Sequence, residues 1–597
     1  IILASTAGPE AALAAEELAR CIEKTCGARP GVLTAAPAAA PPSAIWIGRQ
    51  PSLDRLFPGV SLDLKLPEEI LIVCNGQHLA ILGRDLVVSG IQVEHGSANA
   101  VYTFLDRYLG VRRLWPGPLG EDILQRPTIT LPAFEYRFHP QFRQRKLWRG
   151  SYGGDLEKQA AAWFKQQRVT LFSYRFVGGH AFTKWWDAYH EQHPDYFALL
   201  PNGKRVPQTR PMDVKLCVSN PAVWAQWLEN AERAFRNDPS LIMASASPND
   251  GPGFCTCEKC RAWDHPGGPQ IMGGVALTDR YVKFWNILAR GLRQRFPDRE
   301  VWVGAYAYSA YRSPPVAETL EPNIAIGYVG HFPLAGDATT RAERESWQAW
   351  AQKASSMVFR PNLFHYSGGF LGLPTISLRR TIKDFRFLAE NKCVGLEIDT
   401  LPMCWATQGV QYYLFAQLGY DPLQDGEAIL KDYYARGFGP SAGDIEAYFN
   451  LMEEAHDATL AQIKHSSAMA RQAVSVYRNV YNAELMAEAN LLLHAAEAKA
   501  AAGPQVFRQR VAFIRTGYDY TALQVRIMNA MAQARESKGA DADAVKKALE
   551  LCGQRDALLK DCDPFAVRFS RWYHESRGME DYLGPPSAAM RQAAGIE

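Results

Sequence analysis

From about residue 140 to about residue 422, short apolar segments alternate with amphipathic ones, and this narrows the folds open to the chain more than any other feature. Eight segments have strand character: 143–148, 170–176, 214–218, 241–247, 300–306, 324–329, 357–361 and 394–398. Helical periodicity separates many of them, at 155–167, 221–236, 277–295, 341–353 and 378–390. Repeated strand–helix units over this length predict an α/β fold, a parallel (β/α)8 barrel of the TIM type.

The barrel, assigned to 136–422, has a neighbour on each side. Residues 1–135 predict a small α/β domain, with a helix at 11–26, a strand at 44–48 and a second helix at 98–109 stopped by Gly110. Asn75-Gly76 between apolar runs 69–74 and 78–83 predicts a type I′ hairpin. The stretch 34–43 is a Pro/Ala-rich loop. Beyond 423 strand signals stop, and periodic segments at 443–460, 483–502 and 541–559 predict a helical C-terminal domain over 423–597. That domain offers either a cap for the barrel or a homodimer interface.

Composition excludes several function classes. Net charge is +3 with both signs interspersed, so nothing marks the chain for nucleic acid or for a membrane surface. No apolar run approaches the ~20 residues of a spanning helix. The chain opens on Ile1-Ile2-Leu3 without a methionine, and an exported location, periplasmic or secreted, is preferred to a cytoplasmic one. The 11 cysteines do not settle the compartment; Cys74, Cys393 and Cys404 sit in apolar surroundings and read as small core residues.

The chemistry concentrates after predicted strands. LIMASASPNDGPGFCTCEKC, 241–260, reads as a buried strand running into a loop that carries Asn249 and Asp250. A carboxylate at the C-terminal end of a barrel strand is placed for general acid or base work, although Asn-Asp-Gly also makes ordinary turns. Glu397 and Asp399 alternate with Leu396 and Ile398 on the last strand and so share one face; buried there they need a reason, catalytic or otherwise. His180 ends RFVGGH after the second strand, a place for proton transfer or a hydroxyl contact. His331 and His365 hold similar strand-end positions in weaker contexts.

Arg143 and Arg145 share a face of the first barrel strand, with Arg149 at its exit, and Arg175 lies on the second. Together they read either as surface charges or as a guanidinium fork for a substrate carboxylate. Aromatic side chains near strand ends, among them Trp148, Trp185, Trp186, Tyr306, Tyr308, Tyr366 and Trp405, offer faces on which a sugar ring can rest. Cys255, Cys257 and Cys260, with Cys217 on the preceding strand, fit a structural zinc site or one or two disulfides. Either stiffens the loop. No P-loop, GxSxG nucleophile elbow after a strand, or HExxH signature is found, and no catalytic cofactor is expected.

GSANAVYTFLDRYLGVRRLWPGPLG, 96–120, resembles the end of the N-terminal domain in α-glucuronidases of glycoside hydrolase family 67. The chain is still more similar to bacterial proteins carrying domain of unknown function 4838. The shared marks are Gly179-His180, CVSNP at 217–221, and Asn249-Asp250-Gly251 followed by CxCxxC. The resemblance implies an exo-acting glycosidase with no nucleic-acid partner. A branch it is similar to, glycoside hydrolase family 181, implies terminal sialic acid as the sugar, with an Asp and a later Gln that fall here on Asp250 and Gln270. α-Glucuronidase, N-acetylhexosaminidase-like and non-catalytic carbohydrate-binding readings stand as alternatives. In the sialidase reading Asp250 activates water with inversion, His180 or Glu397 protonates the leaving oxygen, Asp399 assists, and the arginines with Asn249, Tyr308, Tyr366 and Trp405 hold an acidic sugar on a glycoconjugate.

Overall fold

Five short strands form the first layer, each with one face or both apolar. They are β1 (Ile2–Leu3), β2 (Ala44–Ile47), β3 (Ile70–Cys74), β4 (His78–Gly83) and β5 (Phe134–Phe138), in the order β1-β2-β4-β3-β5. Helices α1 (Pro9–Cys26) and α2 (Gly96–Arg107) lie on one face, where Leu18, Val101 and Leu105 meet Ile47, Ile70 and Ile72. α1 stops at Gly27, which takes the left-handed conformation (φ 80°) that a C-cap requires. The computed structural model describes residues 1–34, 41–271, 273–332, 336–363, 372–462, 469–568 and 583–596.

The β3–β4 hairpin forms as expected, but its turn is not type I′. Among the turn residues only Gly76 has a positive φ (91°). Asn75 instead uses its side chain, accepting the amides of Gln77 and His78 at 3.0 and 2.7 Å. An Asx acceptor satisfies the loop without a second left-handed residue.

The second sheet is parallel throughout. Its strands are β6 (Gln144–Arg149), β7 (Met243–Ser245), β8 (Trp302–Ala307), β9 (Ile324–Tyr328), β10 (Ser356–Phe359) and β11 (Cys393–Leu401), in the order β6-β11-β10-β9-β8-β7. Helices α3 (Gly154–Gln166), α4 (Pro221–Asn237), α5 (Thr278–Arg295), α6 (Asp337–Lys353), α7 (Leu378–Glu390) and α8 (Trp405–Tyr420) occur along the connections and after β11. Val303, Ala305, Ile326, Phe359, Leu396 and Ile398 face these helices. Tyr174, Phe176, Met243, Tyr306, Ala325 and Val358 fill the inside.

The two candidate strands missing from this sheet have physical reasons to be so. Segment 170–176 is irregular, yet it helps close the ring. Tyr174 N–H donates to Arg143 O at 3.2 Å next to β6, and Ala181 N–H donates to Ser247 O at 3.0 Å beyond β7. Between these points Val177 O lies over Gly304 of β8, where a Cβ would come within 2.0 Å of it. The chain thus crosses between the sheet edges without a ladder. Segment 214–218 lies outside the barrel sheet and bridges antiparallel to Phe197 instead. The barrel class stands, with six regular staves and one irregular one.

Arg145 corrects the clamp expected from the sequence. Its parity on β6 points it outward, away from the barrel interior. It is fully buried, ion-paired with Glu68, and donates to the carbonyls of Phe142, Arg168 and Leu171. Glu68 also accepts Ser173 N–H at 2.7 Å. One carboxylate therefore joins the first layer, β6 and the irregular stave.

After β11 the described chain is helical apart from connections. α9 (Gly426–Phe438), α10 (Ala442–Gln462), α11 (Met469–Val480), α12 (Ala483–Ala501), α13 (Gln505–Glu536) and α14 (Ala542–Asp561) follow one another. Arg510 of α13 is buried and donates to the carbonyls of Leu119, Glu121 and Gly437. Phe513, one turn on, stacks on Trp115 with centroids 4.6 Å apart.

Breaking one side of a buried ion pair leaves an uncompensated charge, at a cost of about 3–5 kcal/mol. Arg145→Met should therefore lower the thermal unfolding midpoint clearly, and adding Glu68→Leu should recover much of the loss. Unchanged melting of the single variant would remove this pair from the account of the fold.

Candidate functional site

In a parallel barrel every strand carries its C-terminal end to the same rim, so side chains just inside that rim face one another. The register sets which ones. Lys146 pairs with Glu397 across β6 and β11, and their side chains meet at 3.6 Å. Glu397 and Asp399 are both buried (5 % and 3 % exposed) and lie past the level at which β10 ends, since Phe359 pairs with Leu396. The shared face expected from the sequence is the inner one.

Glu397 is held from β6. Trp148 Nε1–H donates to its Oε1 at 2.9 Å, while Oε2 is buried without a hydrogen-bond partner. The Trp148 ring is 44 % exposed and carries the Lys146 ammonium 3.7 Å from its centroid. Burial pulls the Lys146 pKa down, against the opposing pull of Glu397. Arg360, one residue past β10, sits 5.5 Å from the Tyr306 ring centroid. Burial alone would lower its pKa, but Tyr306, Asp399 and Glu397 reverse the direction upward. Burial raises the Tyr306 phenol to about 12, and Glu397 and Asp250 both contribute to that rise.

The other wall is the Asp250 loop. His180 and Asp250 meet at 3.1 Å between Nε2 and Oδ2. The other ring nitrogen, Nδ1, lies 2.7 Å from Pro248 O. A carbonyl can only accept, so Nδ1 carries a hydrogen, and the contact with Asp250 needs a second proton on Nε2. The pair is an imidazolium–carboxylate. Burial opposes a charged His180, but the bonds to Asp250 and Pro248 win and raise its pKa. The same His180 bond keeps Asp250 below the usual carboxylate range, against its partial burial. Lys215 approaches from beneath, its ammonium donating to the carbonyls of Asn249 and Asp250. Burial lowers Lys215 to about 8.

Several expected binders have other duties. Asn249 is buried, its Oδ1 accepting Phe182 N–H and its Nδ2 donating to Val214 O, so it builds the loop and does not face a ligand. Trp405 is fully buried in α8 and donates to Tyr152 Oη at 3.1 Å. Arg145 is the outward ion pair described above. Arg143 lies over the Tyr174 ring at 5.3 Å and Arg175 is exposed on the irregular stave, so no three-arginine fork forms. Gln270 is exposed on a two-stranded ribbon (Gln270–Ile271 with Gly274–Val275) and makes no hydrogen bond to Asp250. Tyr308 packs at the edge of the inner cluster. His331 bonds Glu343 through Nδ1 at 2.7 Å. Tyr366 and His365 lie outside the described residues.

Lys146, Arg360 and Lys215 were missed from the sequence. Period-two alternation on β6 puts Lys146 on the face opposite Arg143 and Arg145, and only the pairing with Glu397 shows that this face is the inner one. Arg360 carried a signal too, as a charge closing an apolar strand.

Cys217, Cys255, Cys257 and Cys260 come together, with all four sulfurs within 4.8 Å of one another. Cys74, Cys393 and Cys404 are buried among core residues, as their surroundings indicated. No helix among the described residues is long and apolar enough to cross a membrane.

Residues 115–450 match the protein family described as "Domain of unknown function (DUF4838)". No curated protein matches the chain. Among solved structures the chain is similar to CpGH84D, at 11% identity and TM-score 0.43, over 93% of this chain and 90% of that one. It is also similar to a family 89 glycoside hydrolase from Clostridium perfringens in complex with PUGNAc, at 11% identity and TM-score 0.37, over 82% and 61% of the two chains. A Thermobaculum terrenum O-GlcNAc hydrolase mutant follows at 11% identity and TM-score 0.29, over 64% and 76%.

The charge of His180 can be followed directly. Its pKa is raised, so its contribution to stability is full below the ordinary value of about 6.5 and is lost as pH rises through the folded value. Asp250, lowered, contributes above its ordinary value of about 3.9 and loses that as pH falls through its folded value. The pair is therefore strongest between roughly pH 4 and 6.5. Lys215 and Arg210 also bear on it, lowering His180 and Asp250 respectively. An NMR titration of the His180 ring should give a pKa above 6.5 that falls in Asp250→Asn; an equal value in both proteins would dissolve the pair.

Proposed function

The chain belongs to the DUF4838 family, whose description names no activity, and from the groups gathered at its barrel mouth we propose that it is an exo-acting glycoside hydrolase. The observation that carries this reading is the inward-facing acid Glu397, with one unpartnered carboxylate oxygen and an exposed tryptophan bonded to the other. A carboxyl group beside an aromatic face suits a sugar ring stacked next to the bond being cut. On the opposing loop Asp250 is kept ionised by His180.

The roles follow from which protons are available. Both His180 ring nitrogens are engaged, one by Pro248 and one by Asp250, so His180 positions Asp250 and does not protonate the substrate. Glu397 is the proton donor to the leaving oxygen. Asp250 is the base that takes a proton from the attacking water. An oxocarbenium-like transition state lies between, with inversion at the anomeric carbon and no covalent intermediate. Asp399 and Arg360 set the charge around Glu397.

The finer proposal keeps a terminal acidic sugar, sialic acid first, but on a different cation. With Arg145 held by Glu68, Lys146 replaces the arginine fork: it is 36 % exposed and sits over the tryptophan that would carry the sugar. A glucuronide would use the same contact. A neutral or N-acetylated sugar would need only the Trp148 face.

Turnover of 4-methylumbelliferyl α-sialoside, α-glucuronide, β-N-acetylhexosaminide and neutral glycosides tests the proposal. Asp250→Asn should lower kcat/KM by about 10^2–10^4. Glu397→Gln should harm substrates with poor leaving groups more than the umbelliferyl ones. Loss of less than a few fold in Asp250→Asn would sink the assignment of the base. Lys146→Met should raise KM for an acidic sugar at least about ten-fold and leave a neutral one within a few fold; the opposite pattern removes the acidic-sugar reading. Glycan affinity with silence across the panel would point to a non-catalytic binder.

A further inference from the structure

The four clustered cysteines lie outside the barrel mouth, and the proposed hydrolysis does not use them. They come from two stretches of chain. Cys217 lies in the segment that stands outside the barrel sheet, and Cys255, Cys257 and Cys260 follow Asp250 along the chain. Cys217, Cys255 and Cys260 are buried, while Cys257 is partly so.

Their spacing matches a coordination polyhedron. Zinc binds thiolates at about 2.3 Å in a tetrahedron, which places neighbouring sulfurs about 3.8 Å apart. Cys217 Sγ is 3.7 Å from Cys257 Sγ and 3.9 Å from Cys260 Sγ. A disulfide would draw two sulfurs together at about 2.05 Å, whereas all four are free thiols and Cys217 Sγ stands at nearly equal distances from two others. Here the four sulfurs converge as a group.

The surroundings suit thiolates. Leu199 N–H points at Cys255 Sγ at 3.3 Å, and Cys260 N–H at Cys257 Sγ at 3.4 Å. The Ser219 hydroxyl lies 3.1 Å from Cys260 Sγ. Such second contacts orient metal ligands and spread their charge. Four thiolates and one divalent ion leave a net double negative charge. Arg280 stands beside it, buried, donating to Cys255 O at 2.8 Å while ion-paired with Asp264.

We propose that Cys217, Cys255, Cys257 and Cys260 bind one zinc ion as a closed tetrathiolate site, and that this ion clamps the Asp250 loop to the 214–219 segment. Binding forms four Zn–S bonds and releases the thiol protons to solvent, with no change of oxidation state. The geometry of the clamp is two-ended. At the far end Lys215 holds the carbonyls of Asn249 and Asp250, and Asn249 Nδ2 holds Val214 O. At the near end the zinc joins Cys217 to Cys255, Cys257 and Cys260. The loop between is fixed at both ends to one segment. With four protein ligands the site has no position for substrate, so the ion is structural. The inference is independent of the proposed glycosidase reaction.

The test starts from the intact protein purified under reducing conditions. Elemental analysis should find about one zinc per chain. After denaturation with chelator all 11 cysteines should react with a thiol reagent, whereas disulfides would remove thiols in pairs. Replacing zinc with cobalt(II) should give sulfur-to-metal charge-transfer bands and the intense visible bands of a tetrahedral site. Cys257→Ser should lower zinc content at least about five-fold, and if that variant does not fold, the cobalt spectrum of the parent decides. Amide exchange in 249–260 should speed up on chelation. Missing thiol pairs without metal, or zinc unchanged in Cys257→Ser, would overturn the site. Unchanged exchange on metal loss would overturn the clamp.

Discussion

The buried contact between Arg145 and Glu68 is the point from which the rest of the barrel can be understood. Arg145 donates to three backbone carbonyls as well as to Glu68, and Glu68 also accepts the Ser173 amide. A charge removed from water needs full compensation, and here each polar group of the pair reaches a different part of the chain. The first layer, β6 and the irregular stave are brought to one place. The stave has no ladder of its own along most of its length, so it needs such an anchor. Its course then sets where His180 emerges.

That position matters because the two walls of the mouth are built differently. The Glu397 wall is sheet. Register places Lys146, Trp148, Glu397 and Asp399 on the inner face, and the ladder keeps them there. The Asp250 wall is loop, and loops need cross-links. Asn249 and Lys215 supply polar ones, the cysteine cluster stands at the other end, and Pro248 orients His180 through its carbonyl. Each wall holds an acidic side chain beside a basic one, Glu397 by Lys146 and Asp250 by His180. Tyr306 lies between the walls, close enough to both to sense Glu397 and Asp250.

Much of this was legible in the chain. The period-two run VGLEID put Glu397 and Asp399 on a common face, and the apolar run before Asp250 placed it beyond a strand. The helices α4, α5 and α7 fall within a residue or two of their sequence limits, because Asn220 caps α4 and long amphipathic runs leave little choice. The arginines were misread for a definite reason. Alternation shows that Arg143 and Arg145 share a face, but not whether it is the inner or the outer one. Asn249 was misread because an amide that binds backbone and one that binds a sugar look alike in a sequence. The strand reading of 214–218 failed because a short apolar segment looks the same whether it pairs within the barrel or, as here, bridges antiparallel to Phe197 outside it.

What the sequence by itself determined is local and periodic: the alternation of strand and helix, the acids at strand ends, the spacing of three cysteines. These depend on neighbours within a few residues, where backbone geometry is the same in any context. What only the tertiary structure decided is which face is inside and which charges meet. Arg145 finds Glu68 at a separation of 77 residues, and Trp148 finds Glu397 at 249. Such partners are chosen by ring closure and burial, where a charge must be compensated by whatever the fold brings near, and no local pattern carries that information.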